Sequence, residues 1–193
     1  MYKAVKRMLD ILGIILLSPV LLPMLLILAI SIKADSPGPA FFKQKRAGKN
    51  QSHFMIYKYR TMYIDTPSDM PTHMLENPDT YITKAGRFLR RTSLDELPQI
   101  INILKGEMSF IGPRPALWNQ FDLINLRVGN GSDALAPGLT GLAQIRGRDE
   151  LPINEKAIID GEYAENFGFI ADLKIFLGTF GVVLGAKGVK EGK

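Results

Sequence analysis

The chain has 193 residues, 46% of them hydrophobic, which suits a single domain with a real core. It contains no cysteine, which excludes disulfides, thiolate metal sites and a cysteine nucleophile and fits a reducing compartment. Its net charge of +5 is uneven, with ten Lys/Arg against Asp10 and Asp35 in residues 1–60 and fourteen against seventeen acids beyond, so the front half suits a polyanionic surface, nucleic acid or lipid.

The segment from Ile11 to Ile32, ILGIILLSPVLLPMLLILAISI, carries no charge. As a straight helix it would be about 33 Å long, enough to cross a bilayer core. Nucleic-acid binders need no such run, so the basic flanks point to lipid. The run exceeds the roughly 7–15 apolar residues of a signal-peptide core. A single spanning helix with tolerated prolines is one reading. A hairpin that enters and leaves by one face is the other, and two features favour it. Pro19 cannot donate to the Ile15 carbonyl, and Ser18 can return a hydroxyl bond to that freed backbone. Lys3, Lys6 and Arg7 precede the run while Lys33, Lys43, Lys45, Arg46 and Lys49 follow it, and positive flanks prefer the cytoplasm.

After the turn at Asp35-Ser36-Pro37-Gly38-Pro39, AFFKQKR and HFMIYKYRTM flank Gly48-Lys49-Asn50 and predict a β-hairpin. Alternation places Phe54, Ile56, Lys58 and Arg60 on one face, with Met55, Tyr57, Tyr59 and Thr61 on the other. Lys58 and Arg60 are candidates to grip phosphate oxygens; a solvated, charge-guarded strand edge is the plainer account of them. Tyr63–Tyr81 is polar, contains three prolines and predicts a loop. His53 and His73 lack metal-ligand spacing and are read as structural or exposed.

The letters DELP occur twice, in RRTSLDELPQI (Arg90–Ile100) and in RGRDELPINEK (Arg146–Lys156). Ser93-Leu94-Asp95-Glu96 matches a capping box, in which Glu96 would bond the cap's own N–H, ahead of an apolar helix closed by Lys105 and Gly106. A cap at Asp95 suits Pro98 better, and acids at a helix start are common in either case. The chemical account is that such a helix start binds phosphate, and a carboxylate there can hold Mg²⁺ on a diphosphate or attack phosphorus itself. Arg87, Arg90 and Arg91 recur at helical spacing, and Arg114 stands between Pro113 and Pro115 in MSFIGPRP, suited to bidentate phosphate contact. Arg146 and Arg148 precede Asp149-Glu150 in the second copy, so local physics barely separates the two.

In the tail, Phe167, Ile170, Leu173, Leu177, Phe180 and Leu184 form a helical stripe, interrupted on the other side by Asp172 and Lys174. The uncharged run Ile175–Ala186 is too short to span, so a core or interfacial helix is expected, followed by a frayed end. Gly138, Gly141 and Gly147 suit turns that let backbone approach a ligand.

RRTSLDELPQIINILKGEMSFIGPRP, with KYRTM upstream and APGLTGLAQIRGR downstream, resembles the bacterial sugar transferase family, the monotopic polyprenyl-phosphate phosphoglycosyltransferases. The resemblance covers nearly the whole chain. It implies that Asp95 and Glu96 are catalytic and that Asp149-Glu150 is a chance repeat of the letters at a helix start. It also implies that Ser18-Pro19 breaks a re-entrant membrane helix. A short chain without an extra membrane bundle resembles the minimal form, for which UDP-diacetylbacillosamine is the expected donor in N-glycan assembly, with another UDP-N-acetylhexosamine or UDP-hexose for a capsule, exopolysaccharide or O-antigen as the alternative. The implied reaction passes a phosphosugar from a UDP-sugar to undecaprenyl phosphate through Asp95. Mg²⁺ would be held largely by Asp95, phosphate charge by Arg90 and Arg114 with Lys58 and Arg60, and the nucleotide end by Arg146 and Arg148. Glu96 would position acceptor or metal, or manage a proton.

The expected fold is α+β: mainly helical, with a small antiparallel β-hairpin, a re-entrant membrane helix over residues 1–35 and a cytoplasmic, membrane-associated catalytic domain over 36–193 that carries interfacial helices. Expected partners are anionic lipid and other enzymes of the same glycan pathway, and no nucleic acid. The expected location is the cytoplasmic face of the bacterial inner membrane, with both termini inside. Two other classes compete: a membrane-anchored aspartyl-phosphate hydrolase, and a basic membrane adaptor whose acids act only as caps.

Overall fold

A computed structural model describes residues 2–66, 77–147 and 151–184. The first helix, α1 (Tyr2–Asp35), runs through Pro19 and Pro23 without division into two helices. It is the one helix among the described residues long and apolar enough to cross a membrane. The Ser18 hydroxyl donates to the Ile15 carbonyl at 2.7 Å, the carbonyl that Pro19 leaves without a donor. Both ends of α1 dock on the same body. At the start, Lys6, Asp10 and Ile14 are buried. Lys6 pairs with Asp172, and Asp10 accepts from the Ser109 hydroxyl and the Phe110 N–H, each at 3.1 Å. Toward the other end, Leu25, Leu28 and Ile32 pack against Ala40, Tyr59 and Leu89. Between these arms Ile15, Leu16, Leu17, Pro19, Val20, Leu22 and Pro23 are exposed. These residues cover most of the circumference, while Ser18 and Leu21, in line with Ile14 and Leu25, form the one face turned to the body, with Leu21 packed on the core.

The predicted hairpin is present: β1 (Phe41–Ala47) and β2 (His53–Tyr59) pair antiparallel, from Phe41 opposite Tyr59 to Ala47 opposite His53. Its predicted faces hold only in part. Phe54 and Ile56 are buried beside Ile100 and Ile103, as alternation requires. Tyr59, placed on the opposite face, is buried as well, because α1 covers that end of the sheet; its hydroxyl donates to the Leu25 carbonyl at 2.6 Å. Residues 67–76 of the expected loop, His73 among them, lie outside the described residues; His53 is exposed.

Five more helices precede the last: α2 (Lys84–Thr92), α3 (Ile100–Lys105), α4 (Phe121–Gly129), α5 (Leu142–Arg146) and α6 (Ile153–Glu165). Gly106 closes α3 in the left-handed region, φ 82°, as expected of a glycine there. A second sheet was not anticipated. Here β3 (Ser109–Ile111) and β4 (Gly138–Thr140) pair in parallel, Ser109 opposite Gly138 and Ile111 opposite Thr140. Its glycines explain why both segments are so rich in them. A Cβ on Gly138 would stand 2.1 Å from the Gly112 nitrogen, and one on Gly141 would stand 2.1 Å from the Gly112 oxygen. The close approach expected of Gly138 and Gly141 is therefore to backbone of this chain.

The last helix, α7 (Phe169–Leu184), leaves Phe169, Ile170, Leu173, Phe176, Leu177 and Phe180 exposed. Asp172 corrects the expected polar side of that helix. It is buried, with Lys6 and the Tyr2 hydroxyl on Oδ2 and the Tyr163 hydroxyl on Oδ1, so it clamps the start of α1 to α6 and α7. Burial, with Asp172 adding to it, pushes the Tyr163 phenol far above its ordinary value.

Candidate active site

Thr83 caps α2, accepting the Gly86 N–H at 2.9 Å. A Cβ on Gly86 would stand 2.0 Å from the Thr61 carbonyl oxygen, so only glycine lets the helix press against the end of β2. α2 stops at Ser93, whose φ of 57° is left-handed. The chain then enters a 3₁₀ turn, Leu94–Gln99, with Asp95 and Glu96 in its first turn. Pro98 has no N–H to give, and regular α-helix resumes only at Ile100.

The capping box is not formed. The Ser93 side chain does not cap this turn, and Glu96 does not reach back to it. Instead the Glu96 carboxylate accepts from Lys58 Nζ at 2.8 Å and from Arg114 Nη2 and Nη1 at 2.8 and 3.4 Å. The Lys58 and Glu96 side chains are 17% and 15% exposed, so that pair is largely withdrawn from water, while the Arg114 side chain remains open to it. Burial opposes ionisation of Glu96, but Arg114 and Lys58 outweigh it and hold its carboxyl well below the usual range.

Asp95, the adjacent residue, is in the opposite condition. It makes no hydrogen bond among the described residues, although Lys58, Arg90 and Arg114 attract its charge. Burial, with the Glu96 charge adding to it, pushes its carboxyl above the ordinary value against those cations. One carboxylate is tied down by two cations; its neighbour is partly buried, makes no hydrogen bond among the described residues and is more basic. That arrangement suits an anchor beside a nucleophile. Asp95 also fits Mg²⁺, since this cation is usually held by one or two carboxylates plus substrate phosphate oxygens rather than by an all-protein cage. Among the described residues no group of three acids or histidines forms such a cage.

The other sequence candidates separate. Arg90 joins the cluster: its charge acts on Asp95, and its Nε donates to Thr61 Oγ1 at 2.9 Å. Arg87 and Arg91 are exposed on α2. Arg60 does not join. It is 6% exposed and donates from Nε, Nη1 and Nη2 to the carbonyls of Pro39, Pro37 and Ser36, at 2.8, 2.7 and 2.9 Å. It clamps the turn that leaves α1, because the strand ends at Tyr59 and the alternation that paired it with Lys58 ends there too. Arg146 pairs with Glu162 at an exposed position. Arg148, Asp149 and Glu150 lie outside the described residues.

Two participants went unread in the sequence, Arg127 of α4 and Asp160 of α6. Both are buried, and they form an ion pair. The available signal was Asp160 itself, an acid flanked by Ala157, Ile159, Gly161 and Tyr163, all buried. A charge inside an apolar stretch requires a partner.

A family comparison bears on this geometry: residues 1–186 match the bacterial sugar transferases. The chain belongs to the bacterial sugar transferase family. Its relatives within the family include the UDP-glucose:undecaprenyl-phosphate glucose-1-phosphate transferase of Caulobacter vibrioides, 39% identical over 184 residues, covering 90% of this chain and 67% of that protein. The exopolysaccharide production protein PSS of Rhizobium leguminosarum is 38% identical over 190 residues, covering 90% and 92%. The UDP-N-acetylgalactosamine-undecaprenyl-phosphate N-acetylgalactosaminephosphotransferase of Aeromonas hydrophila is 34% identical over 195 residues, covering 98% of this chain but 46% of its own length.

Proposed function

We propose that this sugar transferase moves a sugar-1-phosphate from a UDP-sugar to undecaprenyl phosphate by way of Asp95. An Asp95 oxygen attacks the phosphorus that carries the sugar, the bond to the bridging oxygen of UMP breaks, and UMP leaves. The phosphosugar is then held as an acyl phosphate on Asp95. A phosphate oxygen of undecaprenyl phosphate attacks the same phosphorus, the Asp95 carboxylate leaves, and a prenyl-diphosphate sugar forms. The observation that carries this reading is the contrast between neighbours: Glu96 accepts from both Lys58 and Arg114, while Asp95 lies partly buried beside their charge with no hydrogen bond of its own among the described residues. Glu96 holds the two cations at the spot where phosphate charge must be met, and Arg90 adds a third. Asp95 would also hold Mg²⁺, whose charge would offset that of the donor's diphosphate.

The names of the relatives bring two donors forward, glucose and N-acetylgalactosamine, and a further relative is named as a galactosyl transferase. They favour a hexose or N-acetylhexosamine donor for an exopolysaccharide or capsule over the diacetylbacillosamine first expected from the family resemblance. For the membrane, the reading is a re-entrant hairpin with its apex at Ser18-Pro19 and both termini on the cytoplasmic face. Two observations support it: both arms of α1 dock on one body, and the Ser18 hydroxyl occupies the carbonyl freed by Pro19. The apolar face of α7 would rest on the same leaflet.

The test is transfer by purified protein in lipid, with Mg²⁺, undecaprenyl phosphate and a panel of UDP-glucose, UDP-galactose, UDP-N-acetylgalactosamine and UDP-diacetylbacillosamine. One donor should give a prenyl-diphosphate sugar with the wild type and none with Asp95→Asn. UMP release that turns over without undecaprenyl phosphate would instead identify a hydrolase, and full function in Asp95→Asn would identify an adaptor.

A further inference from the structure

Arg114 sits between two prolines, Pro113 and Pro115, neither of which has an N–H. This stretch of backbone can therefore be fixed chiefly through its carbonyls. Four successive carbonyls are each gripped, from different parts of the fold. The Gly138 N–H of β4 donates to Pro113 at 2.9 Å, and the Ala47 N–H of β1 donates to Ala116 at 3.0 Å. Arg46 Nη1, also from β1, donates to Pro115 at 3.1 Å. The carbonyl of Arg114 itself is taken by Arg127 Nη1 at 2.9 Å.

Two further N–H groups of Arg127 are engaged as well. Its Nε and Nη2 both donate to Asp160 Oδ2, at 2.9 and 2.6 Å. Asp160 is 1% exposed and Arg127 is 8% exposed. A buried ion pair is poor value as a mere stabiliser, since packed apolar residues often do as well. Here the pair has a directional product. Asp160 fixes the plane of the guanidinium, and that plane aims the third N–H at the backbone of the residue whose side chain meets Glu96.

We infer that Arg127, oriented by Asp160, is a positioning residue that sets Arg114 for phosphate transfer. This rests on the reading that Arg114 meets phosphate charge beside Asp95. Neither Arg127 nor Asp160 touches the reacting atoms. A lysine at 127 keeps the charge but, as a point donor, cannot span the carboxylate and the carbonyl together in the planar fork.

The experiment is a double-mutant cycle on transfer in lipid, combining Arg127→Lys with Arg114→Lys, with circular dichroism to confirm folding. Arg127→Lys alone should lower kcat/KM about 30-fold, the scale of a misplaced catalytic group. In the Arg114→Lys background the same change should cost less than about 2-fold, because the planar guanidinium that Arg127 positions is gone. Should Arg127→Lys not fold, Asp160→Asn, which keeps volume and one acceptor, replaces it in the cycle. Equal losses in both backgrounds would show a merely structural pair and overturn the inference. So would unimpaired transfer by Arg127→Lys, or by Arg114→Lys. Wild-type protein that transfers no phosphosugar, or Asp95→Asn that still does, would instead overturn the underlying reading.

Discussion

Glu96→Gln and Asp95→Asn are near-isosteric exchanges at adjacent positions, and they should move stability in opposite directions. The Glu96 carboxyl lies below its unfolded value of 4.5, so its contribution is present above that pH and lost as pH falls through the lowered value. At neutral pH the charge is stabilising, and glutamine leaves Lys58 and Arg114 without an anion. Breaking a buried pair costs about 3–5 kcal/mol. Arg114 is 40% exposed and glutamine retains an acceptor, so about 2–3 kcal/mol is the expected loss. For a chain of this length that is a fall in Tm of about 5–10 °C. Asp95 has the reverse sign. Its folded value is raised above 3.8, so its contribution is present at low pH and lost as pH rises through the raised value. At neutral pH its charge is a burden, and asparagine should raise Tm by about 2–4 °C while abolishing transfer. Thermal unfolding of the three proteins in nanodiscs at neutral pH reads both shifts. Two shifts of the same sign would refute the division of roles drawn between the two acids.

Three further outcomes are expected. Burial pushes the Tyr59 phenol up to about 12, so stability should fall between pH 10 and about 12 as the unfolded chain ionises first. Tyr59→Phe should flatten that alkaline loss in Tm measurements, and an unchanged profile would contradict it. Gly138→Ala forces a Cβ to within 2.1 Å of the Gly112 nitrogen, parting β3 from β4. It should cost about 1–3 kcal/mol by denaturant titration and sharply lower transfer, because Pro113 and Arg114 move with it. Pro19→Leu with Pro23→Leu should straighten α1 and carry its N-terminus across the bilayer, read by protease access to an N-terminal tag; a tag that stays protected would count against the hairpin.

Local pattern made much of this molecule legible. The uncharged run, the two-strand hairpin, the helix closed at Gly106 and the freed Ile15 carbonyl all follow from neighbours within a few residues. The functional cluster is different, because it is assembled across the chain. Lys58 and Glu96 are 38 residues apart, and Glu96 and Arg114 are 18 apart. From local pattern alone Glu96 read more readily as half of a capping box, a motif that the long-range ion pairs displaced. The same holds for Arg60, whose partners at Ser36, Pro37 and Pro39 became visible only when the turn after α1 was seen folded back on it. Parallel pairing of β3 with β4 was illegible for a related reason. Each strand is three residues long, and glycine packing on backbone leaves no apolar period to read.

The central claim is that one carboxylate carries the phosphosugar between donor and lipid. Rapid-quench intact-protein mass spectrometry of the protein with its UDP-sugar, and no acceptor, tests it most directly. The account predicts a mass increase of one phosphosugar, mapped to Asp95, absent in Asp95→Asn and discharged when undecaprenyl phosphate is added. Active protein that never gains this mass, or gains it on another side chain, would contradict the account.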